Sequence, residues 1–235
     1  MLLEIKDLRV HYGKAEALKG VSMDIEEGSI VTLLGANGAG KTTTLRTISG
    51  LKRPTSGEIW YQGKRIDTLS AHEIVRRGIA HVPEGRQLFY SMTVLENLEM
   101  GAYLLKGRGE FEKSLEVLCE HFPSVRSRIK HKALDLSGGE QQMVAVCRAL
   151  MSHPKVLLMD EPSLGLSPIM VNEVAKIITR INQDGVTIVL VEQNARMALE
   201  LAKTAYVMEV GSVILKGDAK TVAQDENVIK AYLGG

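Results

Sequence analysis

Residues 35–42 read G-A-N-G-A-G-K-T, which is the G-x-x-x-x-G-K-T pattern of a phosphate-binding loop. Glycines in such a loop let successive backbone N–H groups point into one concavity and surround an anion. Lys41 would reach the β- and γ-phosphates, and the Thr42 hydroxyl would ligate Mg²⁺. The residues predicted to hold the nucleotide phosphates are Gly35, Ala36, Asn37, Gly38, Ala39, Gly40, Lys41, Thr42 and Thr43.

A strand and a helix are predicted on the two sides of this loop. Residues 29–34 form a short apolar run rich in strand formers, and residues 43–48 can continue as a helix. The N-terminus of that helix would add a favourable dipole at the phosphate site. The strand–loop–helix context therefore supports phosphate binding.

A second apolar run, residues 156–159, is followed directly by Asp160 and Glu161. In a parallel sheet, ligands lie beyond the carboxyl ends of the strands, so this acid pair is expected beside the phosphate loop. Asp160 can hold Mg²⁺, usually through its hydration shell. Glu161 is then free to orient a water molecule against the γ-phosphate.

A third motif, residues 136–142, reads L-S-G-G-E-Q-Q. Ser137 is predicted to cap a helix that runs to about Met151, with Glu140 completing a capping box and Gly138 and Gly139 exposing backbone N–H groups. This would be a second anion-binding helix terminus. One nucleotide does not need two such sites in one subunit, so we expect a head-to-tail dimer in which this terminus closes over the partner's nucleotide.

The arrangement of predicted elements indicates an α/β protein. The first third of the chain reads as strands and turns, residues 93–151 read as helices, and the last third alternates between helices and apolar strands. Such alternation favours a parallel sheet covered on both faces. The middle segment therefore reads as a helical subdomain inserted into an α/β core.

Bulk composition excludes several classes of protein. The 235 residues have 45% hydrophobic and 24% charged content, and the net charge of +1 provides no broad argument for nucleic acid binding. No apolar run approaches the roughly 18–20 residues that cross a bilayer, and the N-terminus carries charges where a signal peptide is apolar. We expect a cytosolic location, with Cys119 and Cys147 as reduced, packed thiols.

Taken in order, the three motifs resemble the Walker A, signature and Walker B motifs of an ABC-type ATPase. The resemblance covers nearly the whole chain and implies a single ABC ATPase domain over residues 1–235 that binds ATP and Mg²⁺. It implies a P-loop NTPase (RecA-like) core with an N-terminal antiparallel β subdomain, together residues 1–86 and 153–235, and an inserted α-helical subdomain at residues 87–152. Tyr12 matches the aromatic residue that stacks on adenine, and Ser137, Gly138, Gly139 and Glu140 match the signature that contacts nucleotide.

Three positions differ from the usual family residues. Glu84 stands at the Q-loop glutamine, Ser167 at the D-loop aspartate and Gln193 at the switch histidine. Together they are similar to the second ATP-binding subunit of branched-chain amino acid importers. The resemblance implies that Lys41, Glu161 and Gln193 act in catalysis and that Thr42, Glu84 and Asp160 serve the metal. Gln193 can donate a hydrogen bond but cannot titrate near neutral pH, so it cannot be a general base.

The resemblance also implies partners. These are transmembrane permease subunits, a second ABC ATPase subunit in a homo- or heterodimer and, indirectly, a periplasmic or extracellular solute-binding protein; no nucleic acid is expected. The chain would be peripheral on the cytoplasmic face of the membrane. The alternatives are an ABC ATPase of another transporter or a soluble, non-transport ABC ATPase. A GTP switch protein is excluded because no asparagine is followed by lysine, and an oxidoreductase because the glycine order is not G-x-G-x-x-G.

Overall fold

The computed structural model describes residues 1–233, within which two β-sheets form the framework. The first sheet has four antiparallel strands in the order β2-β1-β4-β5. Its strands are β1 (Leu3–Tyr12), β2 (Ala15–Ile25), β4 (Ser56–Tyr61) and β5 (Lys64–Arg65). Register shifts interrupt the pairing of β1 with β2, which explains why the apolar alternation over residues 2–10 is imperfect. This sheet is the predicted N-terminal antiparallel portion.

The second sheet has six strands in the order β10-β9-β3-β8-β7-β6. They are β3 (Ile30–Leu34), β6 (Ile79–Val82), β7 (Val156–Asp160), β8 (Thr187–Val191), β9 (Thr204–Glu209) and β10 (Ser212–Asp218). Every neighbouring pair is parallel except β9 with β10. The predicted parallel sheet is therefore present, but an antiparallel hairpin that the sequence analysis did not identify forms one edge.

Strands β3, β7 and β8 are buried along their whole length, and this burial accounts for their continuous apolar sequences. Alternate residues of the sheet contribute to two different hydrophobic cores. Ile188 and Leu190 pack on the face shared with the helical segment, whereas Val189 and Val191 pack on the face shared with the antiparallel sheet. The central sheet thus separates the two cores and fixes the carboxyl ends of its strands at one edge.

Helices precede or follow the strands of the second sheet along the chain. Those of the core are α1 (Lys41–Ile48), α2 (Ala71–Arg76), α7 (Pro168–Gln183) and α8 (Ala195–Leu201), and the C-terminal segment adds α9 (Ala219–Val222), α10 (Glu226–Val228) and a π-helical turn (Ile229–Leu233). No helix within residues 1–233 combines the length and apolarity that a bilayer crossing requires.

The segment between β6 and β7 is helical, as predicted. It contains α3 (Val94–Gly101), α4 (Arg108–His121), α5 (Pro123–Ser127), a 3₁₀ turn (Ala133–Asp135) and α6 (Gly138–Leu150). Thr93 and Ser137 cap α3 and α6 through complete capping boxes with Glu96 and Glu140, which confirms both predicted helix starts. Because β6 and β7 are adjacent and parallel, the helices form an insertion between neighbouring strands.

Candidate active site

The phosphate loop joins β3 to α1 and has a backbone that requires glycine at several points. Gly38 and Gly40 have positive φ values of 82° and 107°, and a Cβ on Gly40 would lie 2.7 Å from Leu18 Cδ2. The turn between β9 and β10 supports the loop from the other side, since the Gly211 N–H donates to the Ala39 carbonyl oxygen at 3.0 Å. Glycine conformations and the contact with the β9–β10 turn therefore both shape this loop.

Lys41, the first residue of α1, is buried within this loop and only 4% exposed. Its Nζ donates to the carbonyl oxygens of Gly35 at 2.8 Å and Ala36 at 3.2 Å. Both partners are neutral, so the loop holds a buried positive charge that these contacts do not neutralise. An anion such as a phosphate would complete the arrangement.

Asp160 ends β7 and meets Thr42, whose Oγ1 donates to Asp160 Oδ1 at 3.1 Å. Burial raises the pKa of Asp160 to about 6, and the negative charges of Glu161 and Glu84 act in the same direction. The hydrogen bond from Thr42 and the charge of Arg46 oppose this shift. A cation beside Asp160 would favour the charged form of this carboxylate.

The oxygen donors near Asp160 fit Mg²⁺, which binds proteins through one or two carboxylates and keeps several waters or substrate oxygens. Thr42 and Asp160 are in hydrogen-bonding contact, and Glu84 acts on the same carboxylate by its charge. Within residues 1–233, no group of three or more histidine, cysteine or acidic side chains could hold a metal ion by itself. Any Mg²⁺ here would need the threonine hydroxyl, water and nucleotide oxygens as further ligands.

Glu161 has a left-handed backbone with a φ of 49°, which for this residue type costs roughly 1–3 kcal/mol. Its N–H donates to the Val191 carbonyl oxygen at 2.8 Å, and Gln193 Nε2 donates to its Oε2 at 2.8 Å. Burial raises the pKa of the Glu161 carboxyl, while the charge of Lys41 lowers it. The strained backbone is therefore held by contacts to the end of β8.

A cavity of about 310 Å³ lies above these side chains. Most of its lining was predicted from sequence, namely Asn37, Gly38, Gly40, Lys41, Thr42, Thr43, Glu84, Glu161 and Gln193, together with Ala17, which was not. Gly35 and Ala36 contribute the carbonyl oxygens that hold Lys41, Ala39 is buried behind the loop, and Asp160 is reached through Thr42. The tertiary structure thus brings the two predicted motifs and Gln193 together.

Tyr12 does not line this cavity. It ends β1 with 45% of its surface exposed, and Lys52 Nζ lies 4.4 Å from the centre of its ring. A cation at that distance interacts with the ring face. Stacking of adenine on Tyr12 stays a prediction.

The signature residues also lie outside the cavity lining of their own chain. Glu140 closes the cap of α6 and also accepts a hydrogen bond from Arg128 Nε at 2.8 Å. Its hydrogen bonds with the backbone and hydroxyl of Ser137, and then the bond from Arg128, keep the pKa of its carboxyl low. Arg86, in the loop after Glu84, donates to Gln141 Oε1 at 2.9 Å and so ties this loop to α6. The single chain therefore contains one phosphate site and a separate, capped helix terminus.

Two side chains beside the site had no role in the sequence analysis. Glu192 is only 2% exposed and accepts hydrogen bonds from the backbone and hydroxyl of Ser163, both at 2.8 Å. The sequence feature that could have identified Glu192 is a charged residue directly after a strand that is buried throughout. A charged side chain buried at such a position requires a hydrogen-bonded partner. The partner itself comes from another strand end and has no local signature.

Comparisons with known proteins agree with this geometry. A family model described as ABC transporter matches residues 18–164. The chain is 44% identical to the high-affinity branched-chain amino acid transport ATP-binding protein BraG of Pseudomonas aeruginosa, over all of both sequences. It is 36% identical to a probable branched-chain amino acid transport ATP-binding protein, LivF, of Archaeoglobus fulgidus, covering 100% of this chain and 99% of that protein.

Solved structures show the same fold. An ATP-binding cassette of an ABC transporter in its ADP conformation superimposes with a TM-score of 0.88 at 28% identity, covering 100% of this chain and 99% of that one. A dimeric cassette in a post-hydrolysis state with ADP and Pi superimposes with a TM-score of 0.83 at 27% identity, covering 92% of this chain and 98% of that one. The predicted P-loop NTPase fold is confirmed.

Proposed function

The chain belongs to the ABC transporter family as an ATP-hydrolysing cassette, and on this premise we propose that it powers an importer of branched-chain amino acids. The observation that carries the proposal is the full-length similarity to two ATP-binding proteins named for branched-chain amino acid transport. The combination of Glu84, Ser167 and Gln193 supports the same assignment, because together these residues resemble that subfamily.

The triphosphate of ATP would lie along the phosphate loop, with Lys41 on the β- and γ-phosphates. In this proposal Lys41 exchanges its bonds to the loop carbonyls for the phosphate oxygens, and the helix dipole of α1 adds to the attraction. Adenine would stack on the face of Tyr12 that Lys52 does not cover. The phosphate contacts need no large movement, since the loop is already shaped by Gly40 and the β9–β10 turn.

Thr42, Asp160 and Glu84 would hold the Mg²⁺ of Mg-ATP. Mg²⁺ held by these residues would neutralise negative charge on the phosphates during phosphoryl transfer. The raised pKa of Asp160 supports this role, because a buried carboxylate that acidic neighbours make harder to ionise is stabilised by a divalent cation.

Glu161 and Gln193 would act on the attacking water. The Glu161 carboxylate lines the cavity beside Lys41, where it can accept a hydrogen bond from water and orient it towards the γ-phosphate. Gln193 Nε2 holds Glu161 Oε2 at 2.8 Å and can turn to donate to the γ-phosphate once nucleotide is bound. This amide positions groups and senses phosphate, but it accepts no proton.

Ser137, Gly138, Gly139 and Glu140 would bind the nucleotide held by a second cassette in a head-to-tail dimer. The capped N-terminus of α6 offers N–H groups and a favourable dipole, and it does not line the phosphate cavity of its own chain. The dimeric cassette with ADP and Pi shows that relatives of this fold assemble in pairs. Either an identical chain or a related ATPase would supply the second site.

Permease subunits would dock on the loop at residues 84–86 and on the helical subdomain, residues 87–152. Phe89, Tyr90, Met100 and Tyr103 are large apolar side chains with exposed surface in this region. Exposed apolar side chains of this size favour contact with another protein where they lie together on the surface. Docking there would place the chain on the cytoplasmic face of the membrane, with a solute-binding protein on the other side.

Uptake by sealed vesicles tests the proposal. Vesicles that contain the complete complex, with ATP on the cassette side, should accumulate labelled leucine, isoleucine or valine, and vesicles with the Lys41→Ala variant should not. Movement of a different solute would refute the cargo and leave the ATPase intact. Failure of the chain to co-purify with any permease would refute the transporter role, in favour of a soluble ABC ATPase.

A further inference from the structure

Glu192 follows the last residue of β8 and places its carboxylate inside the protein. Its Oε1 accepts a hydrogen bond from the Ser163 N–H at 2.8 Å, and its Oε2 accepts one from the Ser163 hydroxyl at 2.8 Å. The Asn194 N–H also reaches Oε2, at 3.4 Å. With 2% exposure, this carboxylate depends on these donors in place of water.

A buried carboxylate is costly to retain, and burial raises the pKa of Glu192. The hydrogen bonds from Ser163 lower the pKa of Glu192 and so oppose the effect of burial, which means that the buried carboxylate depends on Ser163 to stay ionised. Ser163 lies in the loop after β7, whereas Glu192 lies in the loop after β8. The pair therefore connects the two loops that carry the candidate catalytic groups.

Two further contacts flank this pair and involve Glu161. The residue before Glu192, Val191, accepts the Glu161 N–H at 2.8 Å, and the residue after it, Gln193, donates to Glu161 Oε2 at 2.8 Å. Residues 191–193, the last residue of β8 and the first two of the loop that follows it, thus bind residues 161 and 163 of the loop after β7. A left-handed backbone at a residue other than glycine is retained only where neighbouring contacts hold it in place. The contacts from Val191 and Gln193 hold Glu161 in this conformation.

We propose that Glu192 is a positioning residue that, through Ser163, holds Glu161 and Gln193 in one arrangement for hydrolysis. The inference rests on the proposed function, in which Glu161 and Gln193 act on the water and the γ-phosphate. Glu192 itself is buried and does not line the cavity at the phosphate loop. Its loss therefore affects the chemical step and leaves binding of Mg-ATP intact.

Steady-state hydrolysis and equilibrium binding of Mg-ATP by Glu192→Ala, Glu192→Gln and Ser163→Ala provide the test. We expect Glu192→Ala to lower kcat by roughly 10–100-fold, since a displacement of about 1 Å can cost about 100-fold, with the Kd for Mg-ATP within about twofold of wild type. Glu192→Gln should retain most activity, because the amide oxygen still accepts the Ser163 N–H and the amide N–H can donate to the hydroxyl.

A matched control is Asp67→Ala. Asp67 also has a nearly buried carboxylate, 5% exposed, which accepts a backbone N–H from Ile59 at 3.1 Å and a bond from Arg65 Nε at 2.8 Å, but it lies in the antiparallel sheet region. The Asp67→Ala variant should be less stable than wild type and should keep the wild-type kcat. A double variant supplies a second check: in the Glu161→Gln background, Glu192→Ala should cause a smaller further loss of kcat than it causes in wild type, because one of the two groups that it positions is already gone.

Three outcomes would overturn the inference. These are wild-type kcat in both Glu192→Ala and Ser163→Ala, an equal loss of kcat in Asp67→Ala, or a weakened Kd that accounts for the whole effect. If Glu192→Ala does not fold, Ser163→Ala decides, with an expected fall in kcat at unchanged Kd. Absence of hydrolysis by the wild-type complex would instead refute the proposed function, and this inference with it.

Discussion

His81 lies on β6 and is the source of a pH-dependent stability that can be measured directly. Both ring nitrogens are buried and have no hydrogen-bond partner within residues 1–233. Burial lowers the pKa of this histidine from 6.5 to about 4, and the positive charge of Arg46 acts in the same direction. His81 therefore binds a proton less readily in the folded protein than in the unfolded chain.

The sign follows from the depressed pKa. Between about pH 6.5 and pH 4 the unfolded chain binds the proton and the folded protein does not, so the free energy of unfolding falls as pH falls. At about 1.4 kcal/mol per pH unit, the loss from about pH 7 to about pH 4.5 is roughly 2.4 kcal/mol. Asp160, whose pKa is raised to about 6, acts in the opposite direction over part of this range.

Denaturant unfolding of wild type and His81→Leu across this range isolates the histidine, because the contribution of Asp160 is common to both. The free energy of unfolding of the variant relative to wild type should rise by roughly 2.4 kcal/mol as the pH falls from about 7 to about 4.5. His131→Leu, which removes an exposed histidine, is the control and should leave the difference nearly constant. Parallel curves for wild type and His81→Leu would refute the reasoning.

Substitutions at four further residues test the nucleotide site. Lys41→Ala should lower ATP binding and hydrolysis by about 100-fold or more without unfolding, because it removes the buried cation of the loop; affinity within a few-fold of wild type by calorimetry would contradict this. Glu161→Gln should bind Mg-ATP, turn over about 100-fold more slowly and accumulate as an ATP-bound dimer in gel filtration. A strict monomer at high ATP would argue against the cross-subunit site, unless the partner is a related ATPase. Gln193→Ala should reduce hydrolysis while Gln193→His retains it, and unchanged turnover in Gln193→Ala would remove this residue from the site. Glu84→Ala should impair vesicle uptake more than it impairs hydrolysis by the isolated subunit. Equal losses would show that Glu84 does not link the nucleotide site to the permease contact.

Much of the fold could be predicted because local sequence carries local physical requirements. The buried strands β3, β7 and β8 are continuous apolar runs, and the starts of α3 and α6 follow from capping boxes at Thr93 and Ser137. The hairpin β9–β10 was missed. β10 pairs with β9 at the edge of the sheet, and β9 joins the parallel core through its pairing with β3, which is distant in sequence.

In the active site, the phosphate loop, the acid pair at the end of β7 and the capped helix α6 could all be predicted from sequence. Each depends on a few adjacent residues, whose backbone freedom and side-chain chemistry are set by their own types. Their surroundings could not be predicted, because they depend on how distant segments pack: the β9–β10 turn contacts the phosphate loop, Gln193 contacts Glu161, and Glu192 contacts Ser163. These contacts join residues far apart in the chain, and burial between packed strands makes them the available partners in the absence of water.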